Sequence, residues 1–236
     1  MAHDSSRDGG VEDTAMCARF LDELPVTGAA VSVFGGAVPE TVVCATDGLA
    51  ARLDELQFDL GEGPRWQAAR TRLPVLEARI REVEHPLWPI FHLALMDTEV
   101  AALYVFPLTL GAIDVGMVEL YSTTPEVLDR TDRAQALVLA NQAAWKLLDR
   151  LLRVQESTAN GSAETETAAS ASPLSRREIH QATGMVLVQM NVTPTEALLL
   201  LRAHAFSHGK SVRVIAGDVV ARRLQFTPDA DSTRTD

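Results

Sequence analysis

Over residues 176–226, apolar residues recur at helical spacing in three runs, and two turn signals cut those runs apart. That pattern admits few folds, because three short amphipathic helices joined by tight loops can bury their stripes only against one another. Ser175 and Glu178 match a capping box at the first helix, with Ile179, Ala182, Val186 and Met190 as its inner stripe. Thr193-Pro194-Thr195-Glu196 announces the second: an N-cap, proline at the first helical position, and Glu at the capping-box position. Ala197, Leu198, Leu201 and Ala205 form its buried face, and Gly209 ends it. The third starts at Ser211 and buries Val212, Ile215, Val219 and Leu224. A bundle this small is marginal alone, so support from a partner or a second copy is expected.

This is also the one basic part of an acidic chain. Residues 173–226 hold seven Arg/Lys against three Asp/Glu, a net +4, whereas the whole chain carries −11. The remainder therefore sums to −15, and such asymmetry points to a nucleic-acid-facing end on an acidic body. Net acidity argues against indiscriminate binding to nucleic acid or anionic membranes. No run approaches the ~20 apolar residues of a membrane helix, and the N-terminus lacks the basic and apolar regions of a secretory signal. Cys17 and Cys44 have no metal-like spacing, so a disulfide is not expected and a reducing cytoplasm is the natural setting.

Upstream, residues 1–10 are polar and are read as disordered. The segment 11–155 reads as one domain. A helix ends at Pro25; strand-like runs follow at 29–34 and 41–45; LAARLDELQF places Leu49, Leu53 and Leu56 on one helical face. GEGP at 61–64 is a loop, with Pro64 starting the next helix. VLEA at 75–78 is a strand, and a short helix near Pro89 turns Ile90, Phe91 and Leu95 inward. VAALYVFPL and IDVGMVELYS pair as a central hairpin. A long helix, 131–155, has Leu137, Ala144, Leu148 and Leu151 near heptad spacing, with Val138, Trp145 and Leu152 widening its apolar face. Hairpins without a βαβ repeat predict an α+β domain, an antiparallel sheet flanked by helices. Small polar residues then dominate 156–172, which reads as a flexible linker before the bundle at 173–226 and a disordered tail at 227–236.

Catalytic signatures are missing. GEGP lacks the lysine and following Ser/Thr of a phosphate loop, and no Ser/His/Asp or paired-carboxylate arrangement stands out. His204 and His208 have zinc-compatible spacing but no third ligand nearby, so they read as surface histidines with no metal. Cys44, inside an apolar strand-like run, reads as an inert buried thiol. No enzyme activity and no cofactor are expected.

Two resemblances sharpen this. IHQATGMVLVQMNVTPTEALLLLRAHA followed by VIAGDVVARRL resembles the ANTAR domain, through Ala182-Thr183-Gly184-Met185, Glu196-Ala197, Leu201-Arg202-Ala203 and Ala216. The upstream ATDGLAARLDELQFDLGEGP, LWPIF and VFPLTLGAIDVGMVELY resemble a GAF domain as fused to ANTAR in actinobacterial regulators. The resemblance implies a homodimeric antitermination regulator whose three-helix bundles bind hairpins in nascent mRNA, under a GAF half that dimerises or takes a small-molecule ligand. One departure is that relatives commonly continue GEGP with cysteine, where this chain has Arg65 and then Trp66. Thiol sensing of that kind is not expected here, and Cys17 and Cys44 do not supply the set that GAF-type methionine sulfoxide reductases need.

For RNA contact, helix face and charge select Arg176, Arg177, His180, Gln181, Thr183 and Arg213, and the resemblance adds Gly184 and Arg202. Arginines would grip phosphates or stack on splayed bases, and Gly184 would let a phosphate chain approach the helix backbone. Of these, Gly184 and Arg202 stand at matched family positions. The competing reading is a GAF signalling adaptor whose bundle binds a protein partner.

Overall fold

The computed structural model describes residues 5–33, 40–159 and 176–227. The chain divides into two compact units, residues 1–175 and residues 176–236. In the first, α1 (Ser5–Glu23) precedes β1 (Gly28–Val33) and β2 (Thr41–Ala45), then α2 (Gly48–Leu60), α3 (Pro64–Thr71), β3 (Val75–Glu77) and α4 (Pro89–Leu95). The hairpin β4 (Ala102–Leu110) and β5 (Ile113–Ser122) leads to the long helix α5 (Arg130–Ala159). The second unit holds α6 (Arg177–Met190), α7 (Pro194–Ser207) and α8 (Val212–Val220).

The five strands form one antiparallel sheet in the order β2-β1-β5-β4-β3. Alternate side chains enter opposite faces, as the pleat requires. Val31, Tyr104 and Phe106 join the core under α1 and α5, with Phe20 and Leu139. Ala30 and Leu103 join Leu53, Trp88, Phe91 and Leu95 on the face covered by α2 and α4. Helices on both faces explain why β4 and β5 read as continuous apolar runs rather than alternating ones.

Several boundaries and burial assignments differ from expectation. α1 starts at Ser5, inside the stretch read as disordered, because no proline interrupts the polar N-terminal residues. Ile90 is 40% exposed while Phe91 and Leu95 are buried, since α4 presents one narrow face to the core. α5 continues to Ala159, so residues 156–159 are helix rather than linker. The rest of the expected linker and the tail from 228 onward lie outside the described residues.

The cysteine reading is overturned. Cys17 and Cys44 form a disulfide, with Cα atoms 6.1 Å apart. Both side chains sit in the α1–sheet core at 1% and 5% exposure, so Cys44 is not a free thiol. Met16 and Phe20 turn inward beside Cys17 on α1, and Cys44 takes the inward register of β2 next to Val42, which brings the two sulfurs together.

In the bundle, Thr193 and Glu196 form the expected reciprocal capping box, and Ser211 caps α8. α6 begins at Arg177, with Arg176 at the cap position and no side-chain capping bond; Ser175 lies outside the described residues. Ile179, Ala182, Val186, Leu201, Ile215 and Val219 are buried together, whereas Met190, Leu198 and Leu224 are half-buried. α6 and α7 are bent by 104° at their connection. No single described helix is long and apolar enough to cross a membrane.

Candidate nucleic-acid interface

The exposed side of α6 is a stripe. Arg177, Gln181, Gly184 and Val188 are spaced four, three and four residues apart, which stacks them on one helix face. Arg177 and Gln181 are exposed, Val188 is 76% exposed, and His180 flanks the stripe on its open side. Gly184 is the informative member. Among the described residues a Cβ built there meets nothing within 4 Å, so none of their packing contacts explains a glycine. Glycine in a helix interior costs roughly 0.5–1 kcal/mol relative to alanine. What the position does supply is bare backbone on the outer side of α6, in line with Gln181 and Arg177.

The other predicted contacts divide. Arg176, expected on the surface of the first turn, is 3% exposed, and Arg202 is half-buried with Nε and Nη2 shielded from solvent. Thr183 donates its hydroxyl to the Ile179 carbonyl at 2.7 Å, which spends it inside the helix. Arg213, half-buried, sits in the first turn of α8. The structure thus brings Arg177, Gln181 and Gly184 together with His180 beside them, and sets Arg176, Thr183 and Arg202 back from that face.

Electrostatics separate this surface from a DNA-reading helix-turn-helix. The 104° bend and short turn suit that motif, but the N-terminal turn of α7 carries Glu196. Hydrogen bonds from the Thr193 backbone N–H and hydroxyl hold its carboxyl below the usual range, so the end that would meet phosphate is anionic.

In the first unit, polar groups converge beneath α3. Arg65 is wholly buried, its Nη2 2.5 Å from Glu40 and Nη1 bonded to Asp54 and 3.5 Å from Glu119. Gln57 ties the cluster together: its Nε2 donates to Glu119 at 2.6 Å and its Oε1 accepts from the Arg65 backbone N–H at 2.8 Å. Burial works against the Arg65 charge, but Asp54, Glu40 and Glu119 outweigh it and raise its pKa. Gly63 adopts φ +128°, and a Cβ there would lie 2.6 Å from Gln57 Oε1, so GEGP serves this packing. The sequence reading missed the cluster. Its signal was Asp54 and Gln57 on the inner side of an amphipathic helix, and Glu119 inside an apolar strand.

Comparison with known families now bears on both units. A GAF domain model matches residues 14–145, more than half of the chain, and an ANTAR domain model matches residues 168–220. The chain belongs to the GAF domain family and carries an ANTAR domain. GAF plus ANTAR is a regulatory architecture rather than a catalytic one. No curated protein matches the chain. Among solved structures, the GAF half is similar to the type II free methionine-R-sulfoxide reductase of Thermoplasma acidophilum at 14% identity, over 62% of this chain and 96% of that one, with a TM-score of 0.45. It is also similar to a GAF domain/HD domain protein from Geobacter sulfurreducens at 14% identity, over 61% and 95%, with a TM-score of 0.48. The PixJ GAF domain of Thermosynechococcus elongatus matches at 16% identity, over 68% and 96%, with a TM-score of 0.44.

Proposed function

We propose that this protein is a homodimeric transcription antitermination regulator whose ANTAR bundle binds hairpins in nascent mRNA. The observation that carries the reading is the outer stripe of α6, in which a Cβ at Gly184 would meet no described side chain and Gln181 and Arg177 lie one and two turns before it. Bare helix backbone lets a phosphate chain come close, a cationic side chain holds it there, and the glutamine amide can bond sugar or base edges. Arg177, His180, Gln181, Gly184 and Arg213 are the proposed contacts. Arg176, Thr183 and Arg202 support them from behind the face.

Two hairpins call for two bundles, and α5 offers a way to pair them. Ala134, Val138, Asn141, Trp145, Leu148 and Leu152 alternate four and three residues apart along its outer side. Val138, Trp145 and Leu152 are 49%, 59% and 51% exposed, an apolar seam with coiled-coil spacing. A second copy of α5 covers it in our reading, and Asn141 sets the register. The Arg65 cluster fills the space beneath α3, so the GAF half acts first as a dimerising element. A small-molecule signal entering there would have to displace a buried ion network.

The test is binding of twin-hairpin RNA by the full-length protein carrying Arg177→Glu and Gln181→Glu. Affinity should fall by about tenfold or more, with a shallower dependence on salt, because fewer phosphates are neutralised. Unchanged affinity that is insensitive to salt would overturn the reading. A second reading, a GAF adaptor with a protein partner, is favoured by Leu199 and Phe206, each 63% exposed on α7. It predicts that Leu199→Glu abolishes function while RNA affinity is intact.

A further inference from the structure

The buried apolar residues of the ANTAR bundle are all aliphatic, and its two phenylalanines, Phe206 and Phe226, lie outside that core. One of them helps to build an aromatic column. At the C-terminal end of α7, the His204 and His208 rings stack with centroids 4.1 Å apart and planes 22° apart. Phe226, from the segment after α8, meets His204 edge-on at 5.4 Å.

The column is pinned at both ends. His208 Nδ1 is 2.8 Å from the His204 carbonyl oxygen and 3.0 Å from Ser207 Oγ, which fixes the ring's orientation. The Phe226 backbone N–H donates to Gln189 Oε1 at 3.0 Å, anchoring the segment against α6. Burial, then His208 and Lys210, lower the His204 pKa from its ordinary value, which favours the neutral ring. His208 is exposed at the outer end of the stack. Lys210 follows it in the chain, and Arg222, also exposed, precedes Phe226.

A histidine can bond the last carbonyls of a helix without any aromatic neighbour. Stacking a second ring beneath it and a third against that one does something different: it presents a rigid, flat π surface beside positive charge. The spacing of the histidines also suits a metal, but the described residues contain no group of three or more His, Cys, Asp or Glu side chains able to hold one.

We propose that the exposed ring of His208 is a stacking platform for an unpaired base in the loop of a hairpin RNA, with Lys210 toward the flanking phosphates. The proposal rests on the RNA-binding reading. Hairpin loops splay their bases, aromatic faces take them with little sequence preference, and the preformed column spares the ordering of a mobile ring.

The test uses the full-length protein, a pool of RNA hairpins sharing one stem with a randomised loop that carries a fluorescent adenine analogue, and a blunt duplex of the same stem. Two variants separate ring from cap: His208→Phe keeps an aromatic face, and His208→Asn keeps a helix-end hydrogen-bonding group without one. Wild type and His208→Phe should bind the hairpins and quench the loop fluorophore. His208→Asn should bind them about tenfold more weakly, with reduced quenching and no change on the duplex. An Asn variant that binds and quenches like wild type overturns the platform. So does a folded Phe variant that does not bind, which also decides the matter where the Asn variant loses helicity by circular dichroism. Equal weakening on hairpin and duplex overturns the platform and leaves the RNA-binding reading standing. Wild type that binds neither RNA overturns both.

Discussion

Cys17 and Cys44 are 27 residues apart in sequence and joined covalently, which fastens α1 to the edge strand β2. Closing a loop of that length removes chain entropy worth about 3.5 kcal/mol from the unfolded state. Thermal unfolding of the full-length protein in the presence of a strong reductant should therefore show the GAF half destabilised by about that amount, with ANTAR helicity retained. The Cys17→Ala, Cys44→Ala pair should behave the same way without reductant. Equal melting with and without reductant, together with two alkylatable thiols in the native protein, would mean that the bridge does not form.

Arg65 holds three carboxylates in place from inside the fold. Replacing it with methionine preserves much of its length but takes the guanidinium away from Asp54, Glu119 and Glu40. Removing one partner from a buried charged network typically costs about 3–5 kcal/mol. Arg65→Met should lower the denaturation midpoint of the GAF half by that much at pH 7. A variant as stable as wild type at pH 7 would show that the network contributes nothing net.

The disulfide and the Arg65 cluster mark where local sequence patterns fall short. Cap signals at Thr193 and Ser211, the proline at 194 and the apolar runs of β4 and β5 act locally, so the order of elements could be read from them. The cysteine pair and the Arg65 cluster depend on contacts between segments far apart in the chain, such as Arg65 with Glu119. Periodicity gives the face of one element, not which element it meets. The same limit misplaced Arg176: it stands just outside the first helical turn, and its burial depends on what covers the cap.

Gly184 separates stability from binding. Because a Cβ there meets nothing, Gly184→Ala should leave the bundle unchanged or stabilise it by about 0.5–1 kcal/mol. The same methyl group would stand between the α6 backbone and a phosphate chain, so affinity for hairpin RNA should fall severalfold. Chemical denaturation and RNA titration on one protein sample check both halves of the prediction. Tighter packing with undiminished RNA affinity would remove Gly184 from the interface.

Trp145 is the largest exposed apolar side chain on α5, and it lies midway between Val138 and Leu152 in the seam. Its exposure means that Trp145→Glu should not disturb the monomer's core, while a carboxylate at the centre of a coiled-coil interface would be buried without a partner. Sedimentation equilibrium should find wild-type dimer and variant monomer at micromolar protein, with matching circular dichroism per residue apart from the loss of any coiled-coil signal. Because two bundles are needed for two hairpins, the monomer should bind a single hairpin nearly as well as wild type and lose the added affinity for the twin-hairpin RNA. A variant that remains dimeric would move the interface off α5, and a wild type that is monomeric under these conditions would remove the pairing of bundles from the mechanism.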